Sequence, residues 1–186
     1  MGKEKFKNKY RIGSTRLKNY DYSLNGAYYI TIVTKDREHF FGNILHGKIQ
    51  LSEIGKIAQQ YWDEIPQHFP FVKLDDMIVM PNHIHGILWI DKTNDIETSV
   101  VVETPKLDVF TKRNKNHKIE WKPGTIGVII NQYKRICTIN SRKIKPNFAW
   151  QPRFYDRIIR NDNELKRIRK YIVNNPQMWE RDRNNM

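Results

Sequence analysis

The run from Gly26 to Thr34, GAYYITIVT, restricts the fold more than any other part of the sequence. Its β-branched and aromatic residues predict a strand, and both faces of that strand are apolar. A strand with two apolar faces belongs in the interior of a sheet, where neither face meets water. The sequence therefore predicts a central strand in a sheet that helices cover.

The segments that follow alternate between strand and helix patterns. In chain order they are a hairpin, a helix, a strand pair, a second helix, two short strands and a last helix, at 42–45 with 48–51, 53–65, 74–80 with 84–90, 125–139, 148–150 with 155–159, and 161–175. This order predicts an α+β fold of the ferredoxin-like, split-βαβ kind, with an antiparallel sheet covered by helices. We expect one domain over 26–180, a basic arm over 1–25, and a long loop or insertion over 91–123.

The charge of the chain favours a polyanionic partner. Its 33 Lys and Arg residues outnumber its 20 Asp and Glu residues, for a formal net charge of +13, which is typical of nucleic-acid binding. No apolar run is long enough to span a bilayer, and the first residues have no apolar core of a secretory signal. The single cysteine, Cys137, cannot form an internal disulfide, so we expect a cytoplasmic protein. We expect no membrane partner.

Two histidines, His83 and His85, flank Ile84 in a predicted strand. Because side chains alternate across a strand, both imidazoles lie on one face, where they could bind a divalent metal. The same pair also suits histidines that only form hydrogen bonds at a strand end. Gly86 next to the pair would allow a close approach of backbone or ligand, and Pro81-Asn82 forms a turn before it.

The last predicted helix presents three functional groups along one edge. Asn161 and Glu164 have the spacing of a capping box at its start. Farther on, Arg167, Tyr171 and Asn175 follow one another at four-residue spacing, so a cation, a phenol and a carboxamide lie in a row. An amphipathic helix whose tyrosine covers the rim of the core is the other interpretation.

The histidine pair and this helix edge make chemical sense together. A tyrosine hydroxyl has a pKa of about 10 and is a weak nucleophile at neutral pH. A metal on His83 and His85 would polarise a phosphodiester as a Lewis acid. The amide oxygen of Asn175 is a hard ligand suited to Mg²⁺ or Mn²⁺, and Arg167 could neutralise phosphate charge.

Several blocks of the sequence resemble the REP-associated tyrosine transposases, within the single-tyrosine HUH transposase superfamily. They are MPNHIHG (80–86), WQPRFYDRIIRN (150–161) and ELKRIRKYIVNNP (164–176), with further likeness in GAYYITIVTKDR, FFGNI and LSEIGKIAQQYWDEIPQHFP. The resemblance covers most of 26–179. The order of the three main blocks is more specific than the histidine pair alone.

The resemblance implies a metal-dependent enzyme that cuts and rejoins single-stranded DNA at hairpin-associated sites. By position, His83 and His85 match the metal ligands, Tyr171 the nucleophile, and Asn175 the polar residue that helps to bind the metal. The implied intermediate is a 5′-phosphotyrosine, and the implied partner is hairpin-forming single-stranded DNA. The resemblance leaves a monomer and a homodimer open. Residues 91–123 have no counterpart in the family pattern.

Further residues are candidates for contacts with DNA. We expect the basic ones near the signature blocks to do so, namely Lys134, Arg135, Arg153, Arg157, Arg160 and Arg167. Tyr28, Trp150 and Phe154 could stack on unpaired bases or belong to the core. Tyr133 and Tyr155 are alternative nucleophiles, although neither has a helical Asn partner as Tyr171 does.

Three rival interpretations differ in chemistry or in biology. A ferredoxin-like sheet also occurs in RNA-binding modules without catalysis, although such modules need neither paired histidines nor a helical Tyr and Asn. A relaxase or replication initiator of the HUH class would share the chemistry. A structural zinc site would require four ligands, usually including cysteines. The chain has only one cysteine, which counts against this interpretation.

Overall fold

The computed structural model describes residues 20–93, 124–182 and 184–185. Within them, a four-stranded antiparallel sheet is built from β1 (Gly26–Val33), β4 (Val72–Val79), β5 (His83–Ile90) and β6 (Tyr155–Ile159), in the order β4-β5-β1-β6. The run GAYYITIV therefore lies in the interior of the sheet, as its two apolar faces predict. A separate hairpin pairs β2 (Gly42–Leu45) with β3 (Lys48–Leu51).

The main helices are α1 (Glu53–Asp63), α3 (Ile126–Ile144) and α4 (Asp162–Asn174), with a short helix α2 (Ile65–His68) after α1. In the order of the main sheet's strands, α1 lies between β1 and β4, and α3 lies between β5 and β6. This gives the β-α-β-β-α-β order of a ferredoxin-like fold. The expected α+β class is confirmed. Most of the expected arm lies outside the described residues, as does most of the expected insertion (94–123).

The two faces of the sheet have different partners. Tyr28, Ile30 and Ile32 of β1 belong to the larger core cluster, which includes buried residues of α1 and α3. The alternate residues Ala27 and Tyr29 pack in a smaller cluster with the apolar side of α4. The sheet is therefore a middle layer, and the face under α4 has the smaller apolar cover.

Local capping residues explain where the helices begin. The Ser52 side chain accepts a hydrogen bond from the backbone N–H of Gly55 at the start of α1. The Asn161 side chain accepts one from the N–H of Glu164 at 2.9 Å at the start of α4. The Glu164 carboxylate accepts from the N–H of Arg160, one residue before the cap, so the capping interaction is close to the expected box.

Two expectations about element limits were wrong. Helix α3 continues to Ile144, five residues beyond the expected end, because Ser141 is buried and the Arg142 side chain bonds the carbonyl of Phe148. The segment 148–150 is not a regular strand. Trp150 forms only an isolated bridge with Thr34, and Phe148 packs in the core.

Gly86 permits a close approach, but the approaching group is the indole of Trp62 in α1. A Cβ added to Gly86 would lie 2.3 Å from Cζ2 and 2.8 Å from Cη2 of Trp62. Trp62 packs on the face of β5 opposite to the histidines, since successive side chains of a strand alternate. Gly86 therefore makes room for the core, rather than for a ligand beside the histidines.

Candidate metal and nucleophile site

The histidine pair of β5 lies under α4. His83 and His85 are 0% and 1% exposed, and their ring centroids are 4.5 Å apart. Both rings are on one face, as the alternation of the strand predicts. Two buried imidazoles this close together supply two nitrogen ligands without further rearrangement of the backbone.

His85 is surrounded by hydroxyl groups. Its Nδ1 lies 2.7 Å from the Tyr29 hydroxyl and 2.9 Å from Oγ1 of Thr31, both on the neighbouring strand β1. Its Nε2 lies 3.3 Å from the hydroxyl of Tyr171 in α4. The structure therefore brings the predicted nucleophile to one of the two predicted metal-binding histidines, across 86 residues of sequence.

His83 has a different set of neighbours. Its Nδ1 lies 2.8 Å from the amide oxygen of Asn82, and its Nε2 lies 3.9 Å from a carboxylate oxygen of Asp182. The ring also stacks on Trp179, with centroids 6.0 Å apart. Trp179 and Asp182 both belong to the C-terminal segment after α4. Trp179 lies in the 3₁₀ helix of this segment, Asn175–Arg181, and Asp182 is the residue that follows it.

Asp182 is the site residue that the sequence did not reveal. Ligand atoms of His83, His85 and Asp182 all lie within 4.8 Å of one another, and Asp182 is buried. Its neighbours in the sequence, RDRNN, form a polar tail without helical or strand periodicity. No local pattern marks one acid in such a tail, so only the folded chain identifies it.

Asn175 sits where α4 passes into the 3₁₀ segment, one turn after Tyr171. It is 2% exposed, and its amide oxygen has no hydrogen-bond partner among the described residues. Burial of an unsatisfied amide oxygen costs free energy unless something binds it. The predicted role of Asn175 as an oxygen ligand is consistent with this observation and stays a prediction.

Tyr171 itself is 44% exposed, so part of its side chain is open to solvent. An ion pair holds the helix that carries it. Arg169 donates two hydrogen bonds to Asp75 of β4, at 2.8 and 2.5 Å, and the Trp89 indole donates another. These bonds lower the pKa of Asp75 to about 2. The helix is therefore fixed on the sheet two residues from Tyr171, the predicted nucleophile.

The predicted DNA-binding residues fall into two separate groups. Arg157, Arg160 and Arg167 line a groove of about 750 Å³ between β6 and the start of α4. Tyr155 also lines this groove, and its ring contacts Tyr29, the partner of His85. This group therefore lies on the nucleophile's face of the sheet.

The second group is associated with α3, on the other face. The Lys134 ammonium donates to the carbonyls of Gln151 and Arg153 at 2.9 and 2.8 Å, and burial lowers its pKa to about 8. Lys134 thus ties α3 to the loop before β6. Arg135 and Arg153 are exposed, and a DNA-binding role for the three stays a prediction.

Two aromatic candidates are ruled out by burial. Tyr28 is fully buried and its hydroxyl donates to the carbonyl of Leu24, so it offers no surface to a base. Tyr133 is buried in the core with its hydroxyl bonded to the carbonyl of Ala58, and burial raises the pKa of its phenol. Trp150 and Phe154 pack against the core, which agrees with the packing interpretation.

The donor set has a clear chemical preference. Two imidazole nitrogens and a carboxylate suit a divalent cation such as Mn²⁺ or Mg²⁺. The described residues fit such an ion, because ligand atoms of His83, His85 and Asp182 converge. Asn175, whose amide oxygen is buried and unsatisfied, stays a predicted further ligand. The hydroxyl of the partly exposed Tyr171 lies beside this set.

No protein-family model matches the chain, but individual proteins do. An uncharacterized protein of Haemophilus influenzae is 35% identical over 91% of this chain and 90% of its own length. A second protein of that organism, named "Putative REP-associated tyrosine transposase", is 24% identical over 84% of this chain and 73% of its own length.

A solved structure shares the fold. It is described as a REP-associated tyrosine transposase bound to a REP hairpin. It aligns with a TM-score of 0.57 at 15% identity, over 90% of this chain and 74% of that one. At this identity the likeness shows the fold alone, and it agrees with the sheet and helices described above.

Proposed function

Because the chain belongs to the family of the REP-associated tyrosine transposases, we propose that it is a metal-dependent endonuclease and strand transferase for single-stranded DNA. Its nucleophile in this proposal is Tyr171. One observation carries the assignment: the Tyr171 hydroxyl lies 3.3 Å from Nε2 of His85, within a cluster that also contains His83 and Asp182. A tyrosine on the rim of the core would have no need of such neighbours.

His83 and His85, with Asp182 and the amide oxygen of Asn175, would hold the cation. When bound, Mg²⁺ or Mn²⁺ supplies Lewis-acid polarisation of the phosphodiester, which is worth several kcal/mol. Asp182 would add negative charge to a site whose other three donors are neutral. The buried, unsatisfied oxygen of Asn175 supports its place in this set.

The chain's own residues account for the exchange of bonds. The Tyr171 oxygen attacks the phosphorus, the bond from phosphorus to the 3′-oxygen breaks, and the leaving 3′-oxygen takes up a proton from water to become a hydroxyl. The proton of the phenol passes to water, to which the partly exposed Tyr171 side chain is open. One phosphodiester replaces another, so the 5′-phosphotyrosine intermediate can be reversed by a 3′-hydroxyl without ATP.

The groove beside β6 is the proposed path of the single strand. Its three arginines would contact phosphates, and Tyr155 at its wall lies next to the Tyr29 ring that contacts both His85 and Tyr171. The groove therefore leads towards the nucleophile. A hairpin next to the cut strand is proposed because the solved relative is described as bound to one.

Cleavage can be tested by trapping the covalent intermediate. The purified protein is incubated with labelled single-stranded hairpin oligonucleotides and Mn²⁺ or Mg²⁺, and denaturing gels resolve the protein–DNA adduct. We expect an adduct that Tyr171→Phe abolishes while DNA binding stays within about twofold, since only one hydroxyl is lost. The matched control is Tyr155→Phe, which removes a hydroxyl from the groove and should keep the adduct.

Two results would overturn the proposal. An adduct that survives Tyr171→Phe would assign the nucleophile elsewhere. Binding without any adduct, across a varied hairpin panel and both metals, would favour the non-catalytic binding module instead.

A further inference from the structure

Asn82 precedes the histidine pair and is fully buried. Its side-chain nitrogen donates to two backbone carbonyls, of Arg37 at 3.1 Å and of Asn184 at 2.7 Å. Carbonyl oxygens only accept hydrogen bonds, so both must face the NH₂ group of the amide. This network fixes the orientation of the amide, and it leaves the oxygen on the side of His83.

The amide oxygen of Asn82 in turn fixes the protonation of His83. Oδ1 lies 2.8 Å from Nδ1 of His83, and an amide oxygen has no proton to donate. In the neutral ring Nδ1 must therefore carry the hydrogen, and Nε2 keeps its lone pair. That nitrogen faces Asp182. We infer that Asn82 is a positioning residue, which holds His83 as the Nδ1–H tautomer with Nε2 available to a cation.

His85 shows that this control is specific to His83. Nδ1 of His85 meets the hydroxyls of Tyr29 and Thr31, and a hydroxyl both donates and accepts. Either tautomer of His85 can therefore be satisfied. A histidine in water favours the Nε2–H form, so His83 is held in the form that it would otherwise disfavour.

The second donor bond of Asn82 connects the histidine to the C-terminal segment. Its acceptor is the carbonyl of Asn184, whose own N–H bonds the Asp182 carboxylate at 2.6 Å. Trp179 of the same segment stacks on the His83 ring. The buried amide of Asn82 thus orients His83 and also holds the C-terminal segment that carries Asp182. Loss of this amide should therefore disturb both the orientation of His83 and the position of Asp182.

The tautomer can be observed directly. Long-range ¹H–¹⁵N correlation spectra of the metal-free protein at pH 8 distinguish the two neutral forms of each imidazole. We expect the Nδ1–H form for His83 in the wild type and a shift towards Nε2–H in Asn82→Ala. An Nε2–H form of His83 in the wild type would overturn the inference, even if no variant folds.

Metal affinity gives a second readout, by titration calorimetry with Mn²⁺. Mutation of the residue that orients a metal-binding histidine typically costs 10–100-fold in affinity, and we expect a loss of that order in Asn82→Ala. The matched control is Asn140→Ala, which removes a half-buried amide bonded to Tyr61 on the other face of the sheet. An equal loss in that control, or an unchanged affinity in Asn82→Ala, would refute the positioning role.

The inference about metal rests on the proposed function, but the tautomer does not. Neither readout requires DNA. A protein with the expected tautomers and Mn²⁺ affinities that forms no DNA adduct would refute the proposed cleavage alone. A protein that forms the adduct while His83 is in the Nε2–H form would refute the role of Asn82 alone.

Discussion

Replacement of Gly86 by alanine should destabilise the fold strongly, although it adds a single methyl group. The new Cβ would lie 2.3 Å from Cζ2, 2.8 Å from Cη2 and 3.0 Å from Cε2 of Trp62, where carbon atoms normally stay about 3.5–4.0 Å apart. The indole cannot retreat easily. It is 1% exposed and packs edge-on against Tyr133, whose hydroxyl is bonded to the carbonyl of Ala58.

Overpacking of a well-packed core typically costs about 1–3 kcal/mol, and this overlap with a rigid ring belongs at the upper end. For a chain of this size, about 3 kcal/mol corresponds to a fall of roughly 6–12 °C in Tm. Urea and thermal unfolding of Gly86→Ala measure the effect. Trp62→Phe provides the matched partner, because it removes the ring atoms that the new methyl would overlap.

The double variant decides whether the overlap is the cause. If Gly86 is required because of Trp62, the two substitutions should couple by about 1 kcal/mol or more, with the double variant more stable than the sum predicts. Additive losses would place the cause elsewhere, in the conformation of β5. A loss below about 0.5 kcal/mol in Gly86→Ala alone would refute the packing argument.

Two further predictions concern the site and the groove. Asp182→Asn should weaken Mn²⁺ binding about 10-fold or more, because it removes the only anionic donor of the proposed set. Titration calorimetry measures this affinity. The control is Asp162→Asn, at an exposed position, and an equal loss of affinity there would contradict the ligand role of Asp182. Replacement of both Arg160 and Arg167 by Gln should weaken the salt dependence of binding to single-stranded DNA. The slope of log affinity against log salt should become less negative by about 1.4, or about 0.7 per lost phosphate contact. Fluorescence anisotropy at several salt concentrations measures that slope, and an unchanged slope would place the strand outside the groove.

Local patterns in the sequence were sufficient for most of the fold. The apolar run of β1 predicts its interior position, and Ser52 and Asn161 mark the starts of α1 and α4 through hydrogen bonds that involve only neighbouring residues. The alternation of a strand places His83 and His85 on one face. Helical spacing likewise puts Tyr171 and Asn175 one turn apart. Each of these inferences needs only a short stretch of chain.

The end of α3 and the segment 148–150 were predicted wrongly because tertiary contacts decide them. Asn140, Ser141 and Arg142 read as polar residues beyond an amphipathic helix. In the fold, Ser141 is buried and Asn140 and Arg142 bond Tyr61 and the carbonyl of Phe148. These partners are set by how α3 packs, and propensity carries no information about them.

The sequence by itself determined the strand and helix pattern, the paired histidines, the tyrosine of the last helix and the likeness to a family. Only the tertiary structure showed that Asp182 joins the histidines, that Asn82 orients one of them, and that the basic residues divide between two faces of the sheet. The physical reason is the range of the interactions. Periodicity and capping act within a few residues, whereas Asn82 and Asn184 meet across 102 residues, and only the packing of α4 and the segment after it brings them together.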